Sequence, residues 1–200
     1  MATKQSLDLS WIAHYGANSS VEPADTFQAA LLLFEIDREE GVKQLREFPQ
    51  SKLIDILCQN HKLYLNKLIP EIEQQFIRII QLEPKHTSTT LELFAQFRSF
   101  VNKLKEHIAF EENAMFPILK TSWSGVENQN SQILAHTHHQ HDEEIFDVLE
   151  ALMNKGDQLG HLMPFRMLLE KLKVLSSELR LHAEIEDEVL LLNESYYRFK

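Results

Sequence analysis

The chain has a single cysteine, Cys58, in 200 residues, so no disulfide can form within it, and its cysteine usage gives no argument for secretion. Five glycines and six prolines are few breakers for a chain of this length, and that scarcity favours helices. No apolar run approaches the ~18 residues of a membrane-spanning helix. The N-terminus, MATKQSLDLSW, lacks the basic and then apolar pattern of a signal peptide. A cytoplasmic protein without a membrane anchor is the expectation. Positive charge is also scarce: 20 Lys and Arg face 30 Asp and Glu, a formal net charge of −10. Without a basic block the chain is a poor match for nucleic acid. No nucleophile triad, phosphate loop or nucleotide motif is present. What remains has 44% hydrophobic and 25% charged residues, near the globular average. It fits one domain of ordinary size with a short appendage. Ten histidines are the first hint of chemistry.

Four long segments carry helical periodicity. The first runs from about Lys52 to Gln81, with Ile54, Leu57, His61, Leu65, Leu68, Ile72, Phe76 and Ile79 on one stripe. Pro70 should kink it, and Glu83-Pro84 should end it. The second runs from about Ser88 to Phe116, with Leu93, Phe97, Phe100, Leu104, His107, Glu111 and Met115 in register. Thr87 or Ser88 suits its N-cap, and Pro117 is expected to stop it. The third spans about Asn130 to Asn154, with Leu134, His138, His141, Ile145, Val148 and Leu152 on one face, closed by Lys155-Gly156. The fourth runs from about Met163 to Asn193 through Leu168, Leu172, Leu175, Leu179, His182, Glu186 and Val189. Short polar connections between them give an all-α, up-down four-helix bundle over residues 52–195. Residues 1–48 read as a small helical segment, with helices over Asp25 to Ile36 and Arg38 to Glu47. Its Phe27, Leu31 and Phe34 need a surface to cover, on the bundle or on a second copy in a homodimer.

Ionisable residues interrupt the apolar stripes at similar depth. They are His61 on the first helix, His107 with Glu111 on the second, His138 and His141 on the third, and His182 with Glu186 on the fourth. Polar groups facing a bundle core cost several kcal/mol unless something satisfies them, and a metal would satisfy imidazoles and carboxylates together. His and Glu at i and i+4 lie one turn apart on one helix face and can reach one point. HIAFEENAM and HAEIEDEVL share His-x3-Glu followed by Met or Leu four residues on. A third pair, His139/Glu143, falls off the stripe and should face solvent, as should most of the acidic run Asp142-Glu143-Glu144. Imidazole and carboxylate without thiolate suit iron, manganese or zinc. Seven ligands exceed the four of a structural zinc site. Five imidazoles, two bridging carboxylates and a bridging oxygen would fill eleven of the twelve positions of two six-coordinate irons. The open position would take O2, NO or peroxide.

These motifs resemble the hemerythrin-like domain, whose helices carry His, His-x3-Glu, His and His-x3-Glu. The chain is most similar to its subfamily of di-iron proteins implicated in repair of iron–sulfur clusters after oxidative or nitrosative stress. LIDILCQNHKLYLNKLIPEIE, HIAFEENAMFP, HQHDEE and HAEIEDEVLLL resemble that subfamily's four bundle helices in turn. Its small N-terminal domain is built around Tyr-Gly-Ile-Asp-Phe-Cys-Cys, with which Tyr15 to Val21 align without gaps, placing Ser20 and Val21 where the cysteine pair stands. The resemblance implies a non-haem, oxo-bridged di-iron centre held by His61, His86, His107, Glu111, His141, His182 and Glu186. The family's register points to Lys62 for the first ligand, whereas the apolar stripe points to His61. His86 takes the place of the family's remaining histidine, with His138 as the substitute donor.

Two functions fit that centre. One is repair of damaged iron–sulfur clusters, with iron–sulfur client proteins as partners. The other is a non-catalytic carrier or sensor of O2 or NO. A third reading is a bundle whose site has degraded.

Overall fold

The computed structural model describes residues 23–121 and 129–191, with side chains placed for 29–120 and 136–191. Phe27, Leu134 and His14 therefore lie outside the described side chains. The chain divides into two compact units, Met1–Pro49 and Gln50–Lys200.

In the first unit, α1 (Pro23–Ile36) and α2 (Arg38–Leu45) form a tight hairpin. Asp37 caps α2 by accepting the Glu40 backbone N–H at 3.3 Å. A Cβ on Gly41 would fall 2.2 Å from the Phe34 Cα, so only glycine allows the two helices to close this far. Ala30, Leu31, Phe34 and Leu45 are buried.

The second unit is a bundle of four rods, and no strand occurs among the described residues. The first rod comprises α3 (Gln50–Leu63), a π turn over Tyr64–Leu68 and α4 (Ile69–Leu82). The second comprises α5 (Thr87–Phe110), a π turn over Glu111–Met115 and α6 (Phe116–Thr121). The third is α7 (Gln129–Asp157), and the fourth is α8 (Met163–Ile185) followed by a π turn over Glu186–Leu190. Each rod packs on two neighbours, in the cyclic order first, second, third, fourth. A single apolar core runs between them, including Phe76, Phe97, Phe100, Leu149, Phe165 and Leu172. Gln75 donates to the Pro164 carbonyl at 2.8 Å and pins the first rod to the start of the fourth. Lys171–Glu71 at 2.8 Å and Lys103–Glu144 at 2.6 Å join rods at the surface, where such pairs add about 0–1 kcal/mol each.

Glu83-Pro84 ends the first rod as expected, but Pro117 acts differently from the sequence expectation. Pro117 does not stop the second rod, which continues to Thr121. Pro70 and Pro117 each stand two residues after a π turn. A proline in a helix clashes with the carbonyl four residues back and offers it no N–H. The π turn, with its i to i+5 bond, inserts one residue and accommodates that defect. It also shifts the stripe: Tyr64 and Ile69, five apart, are fully buried, while Leu65 and Leu68 pack against the core only partly buried. The second rod is capped at His86 by backbone alone, rather than by Thr87 or Ser88. The Thr87 hydroxyl instead donates to the Pro84 carbonyl at 2.9 Å.

Candidate metal centre

The inward polar residues of all four rods meet at one level of the bundle. His61 and His182 form one half of the site. Their Nε2 atoms are 3.1 Å apart and face Glu111 Oε2 at 3.0 Å and Glu186 Oε1 at 3.3 Å respectively. His107 and His138 form the other half. Glu111 Oε1 lies 2.7 Å from His107 Nε2 and 3.0 Å from His138 Nε2, and Glu186 Oε2 lies 3.1 Å from His138 Nε2. Each carboxylate thus turns one oxygen to each half. Both glutamates are completely buried, and all four imidazoles are at most 6% exposed.

Local backbone geometry helps place them. Glu111 and Glu186 each open a π turn, as Phe116 N–H bonds back to Glu111 and Leu191 N–H to Glu186. One extra residue lets each rod present His and Glu inward and still return Met115, Phe116, Val189 and Leu190 to the core.

The electrostatics balance without leaving bare charge. Burial alone would lower the His107 pKa, but hydrogen bonds to Asp142 and Glu111 outweigh it and lift the ring to about 10. His138 rises in the same way against burial, chiefly through Glu186, and His61 through Glu111. Burial would raise Glu111, yet His107, His138 and His61 hold its carboxyl well below the usual carboxylate range. Burial and the Glu111 charge both push Glu186 upward, but His182 and His138 bring it below its ordinary value.

This donor set fits a metal pair. Glu111 Oε2 and Glu186 Oε1 are both buried without a hydrogen bond, and both belong to the His61/His182 half. Their histidines are close but off line for hydrogen bonding, so a cation between them would satisfy all four groups. The trios His61/Glu111/His182 and His107/Glu111/His138 each place one ligand atom per residue within 4.8 Å of the others. Glu111 is common to both.

Of the residues named from sequence, the structure brings together His61, His107, Glu111, His182 and Glu186. Lys62 is exposed, one residue round the helix from the site. His86 is not there. It lies 21 residues before His107, about 31 Å along a helix, and its ring stands against Phe165 at the far end of the bundle. His141 sits half-buried on the rim, edge-on to Phe110 and His107, outside both trios. His138, fully buried, is the third rod's imidazole in the second trio. Asp142 is a residue the sequence reading missed, having placed it on a solvated face. It is buried, with Oδ1 at 3.2 Å from His107 Nε2 and Oδ2 at 3.3 Å from His138 Nδ1. The signal was present as His138-x3-Asp142, an i, i+4 pair on the apolar stripe. The pair His139/Glu143 does face outward, with Glu143 67% exposed.

A cavity adjoins the site. Besides His61, His107, Glu111, Asp142 and His182, its walls are Tyr64, Leu104, Ile108, Ile145, Phe146 and Leu179. The Tyr64 hydroxyl donates to the Glu178 carbonyl at 3.2 Å, leaving its ring edge toward His182.

No curated protein and no solved structure matches the chain. The hemerythrin HHE cation-binding domain family matches residues 53–191, well over half of the sequence. That span includes the inward histidines of all four rods and both Glu111 and Glu186, and the chain belongs to the hemerythrin HHE cation-binding family.

Proposed function

We propose that the bundle holds two irons, bridged by Glu111 and Glu186, and that this centre meets O2, NO or peroxide as part of the stress response that repairs damaged iron–sulfur clusters. The observation that carries the two-metal reading is the split of each carboxylate: one oxygen toward His61 and His182, the other toward His107 and His138. A single ion would not require both oxygens of both glutamates to be turned to different imidazole pairs. When bound, such a pair supplies a redox-active open position for a small ligand. Leu104, Ile108, Ile145, Phe146 and Leu179 give the adjoining cavity an apolar wall beside its ionisable residues, which suits an uncharged diatomic. Asp142 Oδ1 stands 3.2 Å from the same His107 Nε2 that faces Glu111, so this carboxylate faces the centre itself as a candidate ligand of the His107/His138 half. Glu112 holds the outer side of His61, accepting from Nδ1 at 2.9 Å so that Nε2 faces the centre.

The repair reading is supported by the likeness of all four helices to the repair subfamily. A second reading, a carrier or sensor of O2 or NO, is favoured by one specific feature: Ser20 and Val21 stand where that subfamily has its cysteine pair. Incubating the iron-loaded protein with an iron–sulfur enzyme inactivated by peroxide or NO separates the two. Recovery of enzyme activity above an iron-only control supports repair. Reversible spectral change with O2 or NO, without recovery, supports the carrier.

A further inference from the structure

A third cluster of metal-type donors lies just outside the bridged pair. The Cys58 sulfur, a ring nitrogen of His61 and a Glu112 carboxylate oxygen lie within 4.8 Å of one another. Cys58 stands three residues before His61 on α3, so its side chain shares that helix face. The nitrogen facing Glu112 is Nδ1, at 2.9 Å from Oε1. This cluster opens outward: Cys58 is half-buried and the Glu112 side chain is 40% exposed. Asp55, one turn before Cys58, marks the rim and pairs with Lys120 at 3.3 Å.

We infer that Cys58, Glu112 and His61 Nδ1 form an outer binding site for a borderline divalent cation, Fe2+, Co2+ or Zn2+, through which the inner pair is loaded. This rests on the two-metal reading of the inner site. The donor chemistry selects the ion: thiolate and imidazole favour these metals over the hard cations Mg2+ and Ca2+. Three protein donors leave a coordination position for water, as in sites that exchange ligands. A cysteine binds a metal as thiolate, so the arriving cation displaces the Cys58 thiol proton to solvent.

His61 is the shared element, with one ring nitrogen in each site. When Nδ1 binds the cation, the ring proton resides on Nε2, which faces His182 Nε2 at 3.1 Å. When Nε2 binds, the proton resides on Nδ1 and is donated to Glu112. One neutral imidazole carries a single ring proton and cannot serve both sites at once. Outer occupancy is therefore transient: it precedes filling of the inner site and ends with it.

The test is rapid mixing of metal-free protein with Co2+, following the near-ultraviolet thiolate-to-cobalt absorption. The wild type is expected to show that absorption rise and then disappear as two ions seat. Cys58→Ser and Cys58→Ala, checked for helicity, should lack the transient and fill more slowly, on the order of tenfold, while still ending with two ions. No transient in the wild type, or filling of both variants at the wild-type rate, overturns the inference. A transient that ends with only one seated ion supports the outer site and refutes the two-metal reading, so the two failures are distinguishable.

Discussion

Glu111 touches three imidazoles, and its replacement shows how unequal residues of one type can be. Glu111→Ala leaves His61, His107 and His138 without their common acceptor, and breaking a buried ionic network costs about 3–5 kcal/mol. The variant should lose at least one metal and unfold at lower denaturant. Glu143→Ala, on the outward pair, should match the wild type in both elemental analysis and urea unfolding. Likewise His61→Ala should weaken metal binding, whereas Lys62→Ala should leave it unchanged; the reverse result would restore the family register over the apolar stripe. The same network predicts a pH dependence for the metal-free chain. The His107 pKa rises from 6.5 to about 10 on folding, so its contribution is whole below pH 6.5 and is lost as pH rises toward 10. The lowered carboxyl of Glu111 contributes above its ordinary 4.5 and is lost on acidification. Urea unfolding of metal-free protein should therefore show greatest stability near pH 5–6 and a decline by pH 9.5. Bound metal should flatten the alkaline decline, because it replaces the ring protons. Periodicity made His61, His107, His182 and both glutamates legible, since each replaces an apolar residue on a strong stripe. It put both His138 and His141 on the third stripe, with His138 as the substitute for His86, and it missed Asp142 because an Asp-Glu-Glu run reads as solvated. His86 was named by chain order in the resemblance, and helix rise alone places it a bundle length away.

At the scale of the element, the three π turns join helix geometry to site geometry. Two precede a proline, and two begin at a glutamate of the site, Glu111 or Glu186. The turn over Glu111–Met115 does both. Asn113 in it is exposed, and its side chain donates only to the Ala109 carbonyl of its own helix. Deleting Asn113 would convert the π turn to α-helix and rotate everything beyond it by about 100° relative to Glu111. Met115, Phe116 and Leu119 would leave the core, and Phe116 would leave its stacked position 5.9 Å from the His61 ring. Thermal unfolding should fall well below that of Asn113→Ala, which keeps the turn. Equal melting of the two would mean that the inserted residue has no structural role. Sequence pattern located these helices but treated both prolines as kinks or stops. A five-residue gap in a stripe, as from Tyr64 to Ile69, is the sequence sign of a π turn, and it is easily read as ordinary steps of four, three and four from His61 through Leu65 and Leu68 to Ile72.

At the scale of the whole molecule, every residue of the two trios lies within Gln50–Lys200. A chain beginning at Gln50 should therefore bind as many ions as the full protein and give the same spectrum; loss of metal from a truncated chain that remains helical would assign part of the site to the first unit. The central claim is that two bridging carboxylates hold a pair of irons. Elemental analysis of the fully iron-loaded full-length protein, after removal of loosely held metal, tests it most directly. Two irons per chain is the predicted result, and one tightly bound iron per chain would contradict it.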